Sequence, residues 1–259
     1  MRHHLLVRRP STRLASGELT HLDRVPVDVD VALAQWEGYV GAFRAHGWLV
    51  TELEPADEHP DGVFVEDTVV VFDDLAVLTS PGATTRVGEI ASTERGVARL
   101  VAAGLPLEVA RIEPPARLDG GDVLKVGRVA YVGQGSRTDA EGIDRLRSLI
   151  EPRGWTVTAV PVTRVLHLKS AVTALPDGTV IGWPPKVEDP GVYPEFLAVP
   201  EEHGTAVVNL AADQVLMSAD APRTAELLAS RGLAVERVAL SEFEKLEGCV
   251  TCLSVRVRL

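Results

Sequence analysis

Both cysteines of this 259-residue chain fall in its last thirteen residues, Glu247-Gly248-Cys249-Val250-Thr251-Cys252-Leu253-Ser254-Val255-Arg256-Val257-Arg258-Leu259. A thiolate can serve as nucleophile or metal ligand. The Glu-Gly pair followed by a β-branched alternating run predicts a turn delivering a strand. Cys252, at the start of the alternation, is better placed than Cys249 to face a pocket. A free cysteine is also often a small buried hydrophobe. Cys249-x-x-Cys252 has redox spacing, but no proline separates the pair and no helix opens from it. A zinc site would need a second C-x-x-C or a paired-histidine cluster, and the sequence has neither.

Carboxylates recur at similar places. Asp61 and the pair Glu66-Asp67 lie within seven positions, just before the apolar run Val69–Phe72. Glu66 and Asp67 have apolar neighbours on both sides, so each must be paired or bind something. Leu118-Asp119-Gly120-Gly121-Asp122 opens a second run in the same way. Val165-Leu166-His167-Leu168-Lys169-Ser170 opens a third, and places His167, alone of seven histidines, within a predicted buried strand. A core histidine satisfied by a backbone carbonyl is the simpler account of that residue taken alone. Arg86 and Arg137 stand just before two predicted helices, an unfavourable place for a cation because of the helix dipole. Arginines held there suggest a carboxylate ligand, which the guanidinium fork matches.

The elements that position these residues repeat. Val69–Phe72 turns through Asp73-Asp74 into Leu75–Thr79, and Asp122–Val126 turns through Gly127-Arg128 into Val129–Val132. Ala171–Leu175 turns through Pro176-Asp177-Gly178 into Thr179–Ile181, and Val207–Leu210 turns through Ala211–Asp213 into Gln214–Met217. These are hairpin signatures, recurring at roughly 35–55 residues. Helical segments follow three of them, at Glu89–Ala103, Ala140–Ile150 and Thr224–Ser230, closing on Gly104, Gly154 and Gly232. Strands are predicted again at Trp155–Val160 and Leu233–Val238. The unit is strand–strand–helix–strand. Four units are visible, and strands from the two termini could pair as a fifth. An N-terminal strand Leu5–Val7, an irregular polar segment over 11–28, a helix over Val31–His46 and a strand over Trp48–Leu53 complete the chain. Such units around a pseudo-symmetry axis would bring Asp67, Asp119, His167 and Cys252, all near first-strand starts, to one central pocket.

Composition narrows the classes. Thirty-seven acids against twenty-six Lys and Arg give a net charge of −11. That opposes nucleic acid and anionic membrane as partners and suits a cationic small molecule. Two cysteines are too few for a disulfide scaffold and fit a reducing compartment. No stretch reaches the ~20 apolar residues of a spanning helix. The opening Met1–Arg8 is too short an apolar run for a signal peptide. The expectation is a single cytoplasmic domain over 1–259, with a homodimer left open.

Taken in order, Phe64-Val65-Glu66-Asp67, Leu118-Asp119-Gly120-Gly121-Asp122, Arg137-Thr138, His167-Leu168-Lys169-Ser170 and Thr251-Cys252-Leu253-Ser254 resemble dimethylarginine dimethylaminohydrolase, of the guanidino-group-modifying superfamily. Each motif is short; the ordered set spans nearly the whole chain. The resemblance implies a five-fold pseudosymmetric α/β propeller with a central active-site pocket. It implies hydrolysis of Nω-methylated arginines to citrulline and methylamines through a covalent thiouronium, with no metal or organic cofactor. It puts the nucleophile on Cys252, the general acid/base on His167 and the carboxylate that orients it on Asp119, where some members have Glu. It puts guanidinium contacts on Glu66 and Asp67, α-amino contacts on Asp61 and the carbonyl of Leu19, the α-carboxylate on Arg86 and Arg137, and a further lining residue on Leu246.

Overall fold

The computed structural model describes residues 3–259, so Met1 and Arg2 of the opening run lie outside the described residues. Five three-stranded sheets stand around one axis. In each, the first strand pairs antiparallel with the second and the second pairs parallel with the third. The four internal sheets run Val69–Phe72, Leu75–Leu78 and Glu108–Arg111; Val123–Val126, Val129–Gln134 and Thr156–Pro161; Val172–Ala174, Val180–Gly182 and Phe196–Ala198; and Val207–Ala211, Gln214–Ser218 and Ala234–Val238. The fifth takes its first strand, Val255–Arg258, from the C-terminal end and the others, His3–Val7 and Leu49–Glu52, from the N-terminal end. The ring is thus closed by the two ends of the chain, and the fold is the five-fold α/β propeller.

A parallel pair needs a crossover, usually helical. Glu89–Ala102, Ala140–Ile150, Pro222–Ser230 and, in the fifth unit, Val29–Ala45 supply it. The third unit departs: two 3-10 turns, Pro184–Lys186 and Pro190–Val192, replace its helix. Pro184, Pro185, Pro190 and Pro194 make a continuous helix there impossible, because each removes a backbone donor and crowds the preceding turn. The tight hairpin at Asp73-Asp74 needs positive φ, and Asp73 supplies it at 50°, a conformation Asp tolerates better than most residues.

Apolar packing is divided into wedges between neighbouring units. Val70 and Phe72 meet Leu118, Val123, Ile143 and Trp155 in one of them. The Phe72 and Trp155 rings meet edge-on at 5.0 Å, a geometry that contributes about 0.5–1.5 kcal/mol beyond area burial. The five first strands all line a central channel. Among the described residues, no helix is long and apolar enough to cross a membrane.

Three local expectations are corrected. His167 lies outside any strand, at the extended N-cap of the one-turn helix Leu168–Ala171. Beside it Val165 and Leu168 are buried in an apolar core cluster, and half-buried Leu166 lines the pocket. The terminal strand begins at Val255, with Cys249–Leu253 forming a turn closed by the Cys252 N–H donating to the Cys249 carbonyl at 3.1 Å. The third strands Glu108–Arg111 and Phe196–Ala198 carry little alternation in the sequence. Both sit at sheet edges, where few of their residues are buried.

Candidate active site

Just before four of the first strands, short turns carry polar side chains to one end of the axis. The 3-10 turns Val65–Thr68 and Gly120–Asp122 follow directly into their strands, as does the helical turn after His167. The Glu66 N–H donates to the Cys252 carbonyl at 3.2 Å, which ties the cysteine turn to the first unit. Asp61, Asp67, Arg86, Arg137, His167, Leu246 and Cys252 together line one small pocket.

At its centre His167 lies between two carboxylates. Nε2 is 2.9 Å from Asp119 Oδ2, and Nδ1 is 3.7 Å from Asp67 Oδ1. Burial disfavours the imidazolium, but Asp67, Asp119 and Asp122 outweigh it and raise His167 to about 9. The remaining carboxylate oxygens are satisfied. Gly82 N–H donates to Asp119 Oδ1 and Gly121 N–H to Asp67 Oδ1. Asp67 Oδ2 accepts from Arg86 at 2.5 Å. Burial would raise the Asp67 pKa; His167 and Arg86 overcome it and hold Asp67 ionised. Donor atoms of Asp67, Asp119 and His167 lie within 4.8 Å of one another, a spacing that a metal ion could also bridge. Each of them already has a hydrogen-bonding or charged neighbour, an arrangement through which a proton can pass. Asp122 holds the His167 turn from below. It accepts from the Leu168 N–H at 2.9 Å and the Thr138 hydroxyl at 2.6 Å, and burial raises its pKa to about 6.

The two thiols are neighbours, Sγ to Sγ 3.3 Å. Cys252 is pushed well above the usual thiol range, first by sharing a hydrogen bond with Cys249 and then by burial, with Glu66 and Asp67 adding to it. Cys249 is lowered chiefly by that same bond. Either sulfur can carry the shared proton; the firm result is that the second ionisation of the pair is suppressed.

Arg86 is more committed than the sequence suggests. Its Nε and NH2 donate to both Glu89 oxygens, its NH2 also to the carbonyls of Asp61 and Phe64, and its NH1 to Asp67. Of five guanidinium donors, one on NH1 is left for a ligand. Glu89 in turn faces the fully buried Arg8 at 3.9 Å. Arg137 is different: among the described residues its one side-chain partner is Glu18, at 3.0 Å. Glu18 belongs to the 11–28 segment, whose next residues are clasped from the far side. The N–H groups of Thr20, His21 and Leu22 all donate to the Glu247 carboxylate. Asp61 accepts from the Glu18 N–H at 3.1 Å, and burial raises its pKa.

Two expected site residues do not line the pocket with their side chains. Leu19, expected to contribute its carbonyl, packs its side chain against the apolar cluster of the fifth unit, while its neighbour Glu18 lines the pocket. Glu66 faces the channel beneath. Its Oε1 accepts from Lys169 and Arg256, at 2.7 and 2.6 Å, and its Oε2 from the Thr251 hydroxyl at 2.8 Å. In this structure Glu66 is the floor between pocket and channel, and its own acceptors are occupied. Sequence reasoning gave no role to Glu18, Glu89, Lys169 or Arg256. Glu89 was legible as the i+3 partner of Arg86, and Arg256 from the alternation that puts it on one face with Arg258. Glu18 had no such signal.

No family model matches the chain. The dimethylarginine dimethylaminohydrolase of Streptomyces coelicolor is 56% identical over 253 residues, covering 98% of this chain and 96% of that one. Its counterpart from Pseudomonas aeruginosa is 34% identical over 98% of both chains. A solved structure of the Pseudomonas aeruginosa enzyme, a cysteine-to-serine mutant complexed with citrulline, superposes with a TM-score of 0.90 at 33% identity over 99% of each chain. By sequence over nearly its full length, and by fold, the chain belongs to the dimethylarginine dimethylaminohydrolase family.

Proposed function

We propose that residues 1–259 form a single cytoplasmic catalytic domain that hydrolyses Nω-methylated arginines to citrulline and dimethylamine or methylamine. The observation that carries this reading is His167 held between Asp67 and Asp119 in the same pocket as Cys252.

A guanidinium is planar, delocalised and always charged. Asp67, held ionised, meets it. Asp61 meets the α-ammonium, Arg137 meets the α-carboxylate once Glu18 yields it, and Leu246 packs against the chain between. The bound guanidinium places an opposite charge beside Cys252 and favours its ionisation; the thiol proton leaves to solvent, and the thiolate attacks the central guanidinium carbon to give a tetrahedral species. His167 starts as imidazolium, its Nε2 proton held by Asp119, and Nδ1 passes a proton to the departing amine. The C–N bond breaks and a thiouronium remains on Cys252. Neutral His167 then removes a proton from water. The hydroxide adds to the same carbon, the C–S bond breaks, citrulline leaves and Cys252 returns as thiolate. The balance is one water consumed and one amine released.

Purified protein incubated with asymmetric dimethylarginine, monomethylarginine and arginine, with citrulline, methylamines and ammonia measured, tests this. Citrulline with dimethylamine is expected. Citrulline and ammonia from arginine alone would make it an arginine deiminase. No turnover of any of the three would make it a binding protein.

A further inference from the structure

Below the Glu66 floor the axis continues as a solvent-open channel of about 260 Å3. One water needs roughly 10–15 Å3 of such space, so there is room for a small ion with its hydration. Its lining carries Lys125, Lys169, Arg256 and Arg258, and one carboxylate, Glu66. Cationic side chains therefore outnumber carboxylates four to one in this lining, inside a protein whose net charge is −11. Strand alternation turns Arg256 and Arg258 to one side of Val255–Arg258, and Lys125 comes from the second unit's first strand. Lys169 and Arg256 share Glu66 Oε1. Lys125 donates to the Val71 carbonyl at 2.5 Å and lies 5.4 Å over the Phe72 ring. Arg258 donates to the Asn209 carbonyl and lies over Trp48. Among the described residues, neither of these two cations has a carboxylate partner in the channel.

We propose that this channel is a binding site for a small phosphate-type oxyanion, held by Lys125 and Arg258 with Arg256 and Lys169 behind them. Charge-assisted hydrogen bonds to such an ion would replace repulsion among the four cations with attraction. The titration behaviour agrees. Lys125 meets the channel's solvent yet is hemmed in by protein; that enclosure, with the charges of Lys169, Arg256 and Arg258, lowers it to about 7, against a small opposing pull from Asp73. Burial and Arg256 lower Arg258 to about 10. A bound oxyanion would also compete with Glu66 for Lys169 and Arg256. Glu66 holds the hydroxyl of Thr251, the residue before Cys252, so the ion has a short route to the nucleophile's turn.

The test is calorimetric titration of the wild-type protein with inorganic phosphate in low-chloride buffer at neutral pH. Binding with Kd on the order of 1 mM or tighter is expected. Lys125→Ala and Arg258→Ala, each with an unchanged circular dichroism spectrum, should each weaken it at least about tenfold. Arg137→Ala should leave it unchanged, which separates the channel from the pocket above. Absence of binding to the wild type overturns the proposal, as does equal binding to the Lys125 and Arg258 variants. Loss of binding in the Arg137 variant alone would place the phosphate in the substrate pocket and overturn it too.

Discussion

The sulfur of Cys249 lies 3.3 Å from that of Cys252, across a turn in which the Cys252 N–H donates to the Cys249 carbonyl. The carboxylates around the pocket would by themselves hold the nucleophile as thiol. The structure adds a second and larger cause: the two thiols share a proton, and ionising both is opposed by their proximity and burial.

The cysteines should therefore separate cleanly. Cys252→Ser is expected to abolish turnover in a folded protein, because a hydroxyl lacks the thiolate's nucleophilicity. Cys249→Ser should retain substantial activity and bring the Cys252 ionisation to lower pH, since the first cause of its elevation is gone. Thiolate absorbance in the ultraviolet, titrated against pH in wild type and both variants, reads this directly. An unmoved Cys252 titration in Cys249→Ser would show that the sulfur contact has no electrostatic weight.

On the proposed mechanism His167 sets the alkaline limit. With its pKa raised to about 9, the imidazolium needed to protonate the leaving amine persists through neutral pH and is lost above about 9, so kcat should fall there. Asp119→Asn leaves an amide acceptor at Nε2 but removes the negative charge, and should move that limb to lower pH. Stability follows the same sign. The folded pKa lies above the unfolded value of about 6.5, so this contribution is complete below about 6.5 and is lost as pH rises through about 9. Denaturant unfolding across that window should show wild type losing more stability than Asp119→Asn.

The two arginines should behave differently, because their partners differ. Arg137 has one weakly buried competitor, Glu18. Arg137→Ala is expected to raise KM for dimethylarginine by the equivalent of about 2–5 kcal/mol and to matter far less for a guanidine lacking the carboxylate. Arg86 holds Asp67 and Glu89. Arg86→Ala should lower kcat for both substrates, by a factor on the order of 10²–10⁴ if acid–base catalysis is lost with Asp67 out of place. Steady-state kinetics on a substrate pair with and without the carboxylate decides it; a pure KM effect for Arg86→Ala would return that residue to the carboxylate.

Gly121 has no room for a side chain. A Cβ there would meet Asp67 Oδ1 at 2.6 Å and His167 Nδ1 at 2.7 Å. Gly121→Ala should displace the imidazole and cost most of kcat while leaving the circular dichroism spectrum unchanged. Full activity in the variant would mean that His167 is not held where the structure has it.

The strand–strand–helix–strand unit and its repetition are legible in one chain. Val69–Phe72 with Leu75–Leu78, and Val123–Val126 with the strand after it, are written in local apolar runs and turn residues. Such signals survive in a single chain because they depend on neighbours a few positions away. Placing Asp67, Asp119, His167 and Cys252 near strand starts sufficed to gather them at one end of an axis. What strand periodicity could not give is direction within the turns. Glu66 and Asp67 are adjacent, yet one faces Lys169 and Arg256 below and the other faces His167 and Arg86 above. A 3-10 turn sets that choice through its dihedrals, and those are fixed by contacts far away in sequence, including the Cys252 carbonyl that accepts from Glu66. The Arg86–Glu89–Arg8 chain, the Glu18 carboxylate on Arg137 and the cationic channel under Glu66 were decided the same way. Each joins residues from different units, and a charge's partner in a closed ring is chosen by the ring, not by the segment that carries it.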